Sequence, residues 1–213
     1  MSRYLVILIC IVFCSCSKKN TERLTIDLPF YNTADLTPRW IELQDSGYSA
    51  IHTIAPFKFV NQNGDTVTAD NFTDKIYVAN FFFSICPGVC PKMNGNLKLV
   101  QETFATDDRV KILSHSVMPW VDSVAQLQKY AIRNDINPDI WQLVTGDKED
   151  IYQLARESYF ADEGFGKGLT TLEDFLHTET VILVDRQRRI RGIYNGTLPM
   201  DISRMIDDIR VIL

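Results

Sequence analysis

The stretch KIYVANFFFS, residues 75–84, is a near-continuous run of apolar, aromatic and β-branched side chains. A run without alternation fits a strand buried on both faces at the centre of a sheet. Further on, Met93, Leu97, Val100 and Phe104 recur at spacings of four, three and four, which predicts a helix with one apolar face. RVKILSHSV, residues 109–117, predicts a second buried strand. Val124, Leu127 and Ala131 predict a second helix, with Asp122 as its N-cap. WQLVTG predicts a third strand, after which Asp147 caps a helix carrying Ile151, Leu154 and Ala155. TETVILVDRQRRIRGIYNG predicts two antiparallel strands across a charged turn, with Arg186, Arg188, Arg189 and Arg191 as a solvated basic cluster. A final helix is marked by Ile202, Met205, Ile206, Ile209 and Ile212, with Pro199 near its first turn.

Upstream of all this, FKFVNQNGDTVT is two short alternating runs around Asn63-Gly64, a hairpin signal. Strand–helix alternation, then a hairpin and a last helix, predicts an α/β sandwich with helices on both faces of the sheet. No G-x-G-x-x-G follows the first buried strand, so a dinucleotide-binding fold is excluded. A cysteine pair follows it, the order found in a thioredoxin-like fold.

Composition narrows the class. The 213 residues are 46% hydrophobic and 23% charged, values of a globular chain long enough to bury a core. Net charge is −5, which argues against a nucleic-acid partner. At the N-terminus, Arg3 precedes an apolar run from Tyr4 to Cys14, too short to span a bilayer, which needs about 20 residues. It fits the core of a secretory signal peptide, and Ser15-Cys16 resembles a bacterial lipobox. The expected organisation is a lipoprotein signal peptide over 1–15, a lipid-anchored tether over 16–47 and one folded domain over 48–213. Cys16 would carry the lipid and fix the protein to a membrane of the cell envelope, facing the periplasm.

Cys10 and Cys14 would leave with the leader, so Cys86 and Cys90 would be the only free thiols. Two cysteines are too few for a disulfide framework in a domain of this size. In FFFSICPGVCPKM the second sits just before Pro91, a residue favoured at the first helical position. A helix N-terminus there would favour thiolate at Cys90, as metal ligation or disulfide exchange requires. The spacing alone leaves a staple, a redox couple and a metal site all open. Of three histidines, His177 stands just before the apolar strand 180–184. If that strand runs antiparallel to the cysteine strand, its start lies at the same sheet edge as the two thiols. His115 also follows a strand toward that edge and competes, while His52 has no such argument. Two thiolates and an imidazole suit copper, and chemically also zinc. Met93, one turn into the helix, is a weak extra donor or simply core.

FFFSICPGVCPKM followed by HTETVILVD resembles the Sco/SenC family of copper-binding assembly proteins over about residues 48–213. LPFYN and LTPRW look like Bacteroidetes-type lipoprotein members. The resemblance implies a thioredoxin-like fold and Cys86, Cys90 and His177 as copper ligands. It implies as partners the copper-site subunit of cytochrome c oxidase and a thiol reductant. One departure stands out: the family's Asp-Pro-x-x-Asp-Thr loop reads SVMPWVDS here, with Met118 in place of the first aspartate and Asp122 in place of the second. The expected function is a copper metallochaperone, not a turnover enzyme. The alternative is a thiol-disulfide oxidoreductase or peroxidase-like protein using the Cys86/Cys90 pair.

Overall fold

The computed structural model describes residues 27–161 and 179–213. Its sheet is built around β5 (Ile76–Phe82), every residue of which is buried. β6 (Val110–Ser116) and then β7 (Trp141–Thr145) continue from β5 in parallel. β3 (Lys58–Asn61) pairs antiparallel with β7 and forms the expected hairpin with β4 (Thr66–Thr68). On the other side β8 (Thr180–Val184) runs antiparallel to β5, and β9 (Ile190–Asn195) antiparallel to β8. The strand order is therefore β4-β3-β7-β6-β5-β8-β9. The conditional step in the histidine argument, an antiparallel β8 beside β5, holds: Val181 pairs with Asn80.

Two parallel steps in the same direction send α1 (Val89–Thr103) and α2 (Val124–Arg133) over the same sheet face. α4 (Pro199–Ile212) packs there beside α1, with Pro199 in its first turn and Ile202, Met205, Ile206 and Ile209 buried. The opposite face is covered by α3 (Lys148–Gln153), capped by Asp147, and by the π-helical turn Leu154–Ser158 that continues it. The resulting α/β architecture, a mixed sheet with helices on both faces, is the one the periodicities predict.

Two local readings need correction. The N-cap of α2 is Ser123, whose hydroxyl accepts from Gln126 N–H, while Asp122 is fully buried and bonded elsewhere. The arginine cluster is not uniformly solvated either. Arg191 is buried, and its guanidinium donates to the carbonyls of Leu28 and Pro29 and to Asp27 and Asp185. It also lies 4.0 Å over the Phe30 ring. That clamp draws the N-terminal chain onto the sheet: Leu28 and Phe30 are buried, and β1 (Phe30–Tyr31) pairs with β2 (Pro38–Arg39). Ordered packing thus reaches back into the stretch that has no sustained period in sequence. With Asp185 also buried, removing the guanidinium alone would cost about 3–5 kcal/mol.

The helix-poor face carries an aromatic cluster around His115. Its ring stacks on Phe81 at 5.1 Å between centroids and meets Phe57, Phe59 and Tyr159. Among the described residues neither ring nitrogen has a hydrogen-bond partner, and burial pushes the imidazole down to about 3. An unfolded chain titrates this group near 6.5. Between those values the unfolded state takes up a proton that the folded state refuses. Stability is therefore complete above pH 6.5 and lost as pH falls toward 3, by up to about 1.4 kcal/mol per pH unit. Chemical denaturation at pH 7 and pH 4.5 is expected to show His115→Leu losing about 2–3 kcal/mol less than the parent chain. Parallel losses in the two proteins would contradict a neutral buried ring.

Candidate metal centre

β5 ends at Phe82 and α1 begins at Val89, so the intervening loop projects from the carboxyl edge of the central strand. Cys86 N–H donates to the Phe83 carbonyl at 3.2 Å, which turns the loop toward the helix. The N-cap is Gly88, with no side chain to accept from the free first-turn N–H groups. The Cys86 sulfur takes that place. Burial by itself raises its thiol, but the N–H groups of Cys90, Gly88 and Val89 and the Cys90 thiol outweigh burial and hold it below the ordinary range.

Cys90 is the second residue of α1 and points inward. It lines a small cavity with Asn80, Phe82, Met93, Tyr130 and Trp141. Burial pushes the Cys90 thiol up to about 12, with the Phe83 backbone opposing and the Cys86 thiol adding to the rise. The helix end therefore favours thiolate at Cys86, not at Cys90 as the motif suggests. Pro91 is the third helical residue instead of the first, where its missing N–H still costs no intrahelical bond.

Both thiols are free, and each perturbs the other. Among the described residues no group of three or more His, Cys, Asp or Glu could hold a metal. His115 is ruled out as a partner of the pair: β5 residues Asn80 and Phe82 face Cys90, whereas Phe81, on which His115 stacks, faces the other side. His52 has a structural role, its Nε2 lying 2.8 Å from the Ser158 carbonyl and its ring against Phe160. Met93 is core. His177 and Cys16 lie outside the described residues.

The chain beside His177 is described from Glu179 onward. Gly196 N–H donates to the Glu179 carbonyl at 2.6 Å. A Cβ on Gly196 would fall 2.8 Å from Met93 Cγ and 3.2 Å from that carbonyl oxygen, so only glycine permits this approach. Asn96 of α1 donates to the Gly196 carbonyl at 2.8 Å. Gly196 thus links the start of β8 to α1 at Met93 and Asn96.

In the sequence Asp122 reads as a cap and as the second aspartate of the family's loop. In the structure it bridges two loops at this edge: Oδ1 accepts from Ser84 Oγ at 2.5 Å and Oδ2 from Ser116 Oγ at 2.5 Å. Ser84 N–H points to both oxygens, at 3.3 and 3.2 Å. Ile85 and Trp120, in the same two loops, are 55% and 61% exposed, and the Lys148 ammonium lies 5.5 Å over the Trp120 ring.

The SCO1/SenC family model matches residues 46–213. The SCO1 protein homolog of Bacillus subtilis is 27% identical over 161 residues, covering 75% of this chain and 82% of the relative. Among solved structures, BsSco is a member of the Sco family of cytochrome c oxidase assembly proteins, in which a disulfide switch was identified. It aligns with a TM-score of 0.62 at 26% identity, covering 76% of this chain and 93% of its own. ScoI of Bradyrhizobium japonicum, with copper bound, aligns with a TM-score of 0.59 at 24% identity, covering 76% and 99%.

Brief treatment of the reduced chain with a limiting thiol alkylator near pH 7 is expected to label Cys86 at least roughly tenfold faster than Cys90, read by peptide mass spectrometry. Equal or inverted labelling would contradict the assignment of the two thiols. The matched span includes the whole cysteine loop and its sheet, and this chain belongs to the SCO1/SenC family.

Proposed function

We propose that this protein is an extracytoplasmic copper metallochaperone. In this reading it carries the ion on Cys86, Cys90 and His177 and serves assembly of the binuclear copper site of cytochrome c oxidase. The observation that carries the reading is the pair of free thiols, set against each other at a helix N-terminus outside the end of a central strand. Thiolates are soft donors and favour copper(I), and this donor set fits the ion. A solved structure of similar fold, ScoI, has copper bound.

His177 is two residues from Glu179, a span of at most about 7 Å. Gly196, whose N–H bonds the Glu179 carbonyl, lies against Met93, one turn beyond Cys90. This supports the imidazole as third donor.

Each thiol has a distinct part. Cys86, held toward thiolate by the helix N–H groups, is the group ready to receive the cation. Cys90, buried and protonated, gives up its proton only when positive charge beside it offsets the cost of a buried thiolate. Uptake therefore releases protons, and the pair must be reduced first because a disulfide has no thiolate to give. Release to a recipient proceeds by ligand exchange, with exposed Ile85, next to Cys86 in the chain, offering apolar contact. Lipidation of Cys16 would hold the domain at a membrane of the envelope.

A second reading, thiol–disulfide exchange, draws on the same asymmetry, since a lowered Cys86 beside a raised Cys90 is also what an attacking and a resolving thiol need. The two readings part at His177. Anaerobic copper(I) titration of the reduced protein is expected to give one ion per monomer, with His177→Ala, Cys86→Ser and Cys90→Ser each weakening binding by at least roughly tenfold. Stoichiometric copper in the double cysteine variant would rule out the chaperone reading. Catalytic reduction of a model disulfide, untouched by His177→Ala, would favour the second.

A further inference from the structure

Asp122 is fully buried, yet among the described residues no Lys, Arg or His pairs with it. An unpaired buried carboxylate is costly, and an apolar side chain would pack there without that cost. Helix capping does not explain it, because Ser123 caps α2. Its bonds show what the carboxylate does instead. It takes the hydroxyl and the N–H of Ser84, two residues before Cys86, and the hydroxyl of Ser116 at the end of β6. Ser84 Oγ in turn accepts from Gln126 Nε2 of α2 at 2.9 Å. Ser84 is therefore held from both sides, donating to Asp122 in the loop after β6 and accepting from Gln126 of α2.

Between the last residue of β5 and the N-cap of α1, Cys86 N–H bonds to the Phe83 carbonyl within the loop itself, so that bond does not tie Cys86 to a neighbouring strand. Cys86 can use the α1 N–H groups only if the loop delivers its sulfur to them. We infer that Asp122, which touches neither sulfur, is the positioning residue of this site. By tying Ser84 to the end of β6 it fixes where Cys86 stands relative to Cys90. For copper this rests on the chaperone reading; for the thiol pair as such it does not.

The test has two readouts made on the same set of full-chain variants: Asp122→Ala, Asp122→Asn and Ser84→Ala. The first is copper(I) affinity of the reduced protein, by competition with a chromophoric chelator. The second is the metal-free equilibrium with glutathione, in which the two protein thiols and one glutathione disulfide give the protein disulfide and two glutathione thiols. Asp122→Ala is expected to weaken copper binding about 10- to 100-fold, the range seen when an outer partner of a ligand is lost. Without the tether Cys86 leaves the helix N–H groups, so the glutathione equilibrium is expected to move several-fold toward the protein disulfide. Asp122→Asn keeps an acceptor for Ser84 and should fall between, while Ser84→Ala should follow Asp122→Ala in direction.

Urea denaturation separates this role from plain stability. A folded Asp122→Ala with parental copper affinity and parental glutathione equilibrium overturns the proposal, even if it is less stable. Should that variant not fold, Ser84→Ala decides by the same criterion: it removes both hydroxyl bonds, to Asp122 and from Gln126, and leaves only the longer backbone N–H contact with the carboxylate, which stays bonded to Ser116. If the parent chain binds no copper, the chaperone reading fails while the glutathione equilibrium still tests Asp122.

Discussion

Complete burial of β5 is the constraint on which the remaining architecture depends. Seven consecutive residues with no exposed face require neighbours on both edges and layers on both sides. β6 and β8 supply the edges; α1, α2 and α4 cover one face; α3, the π-helical turn and the aromatic cluster around His115 cover the other. From Tyr77 to Asn80 the strand is paired on both edges, which commits its backbone polar groups to the ladders. Chemistry can be offered only where the strand ends, and the cysteine loop is what the chain places there.

That edge joins four pieces that are distant in sequence. The β5–α1 loop brings the thiols, and the loop after β6 brings Asp122. The start of β8 brings the chain within two residues of His177, while Gly196 after β9 lets it lie against Met93. The two thiols differ because one faces the helix N–H groups and the other faces the core. A single C-x-x-x-C motif thereby yields one thiol lowered by helix N–H groups and one raised by burial.

Much of this was legible in the sequence, because it rests on periodicity. The unbroken run at 75–84, the four-three-four spacing from Met93 and the β-branched run before Asp185 each identify an element whose burial the structure bears out. Three features were not legible, and each depends on competition between nearby groups. Asp122 and Ser123 are both good N-caps, and only the fold shows that two serines from other strand ends claim the aspartate. Arg191 sits in a run of arginines that looks solvated until the carbonyls of Leu28 and Pro29, over 160 residues away, are brought to it. The choice of thiolate turns on Gly88, an N-cap without an acceptor, which leaves the role to Cys86.

The most direct measurement of the central claim is X-ray absorption at the copper edge on the reduced, copper-loaded protein. Two sulfur scatterers at bonding distance together with a nitrogen scatterer, the latter lost in His177→Ala, is the outcome expected from gathering both thiols and one imidazole about a single ion. A shell of nitrogen and oxygen with no sulfur, or a shell unchanged by His177→Ala, would contradict it.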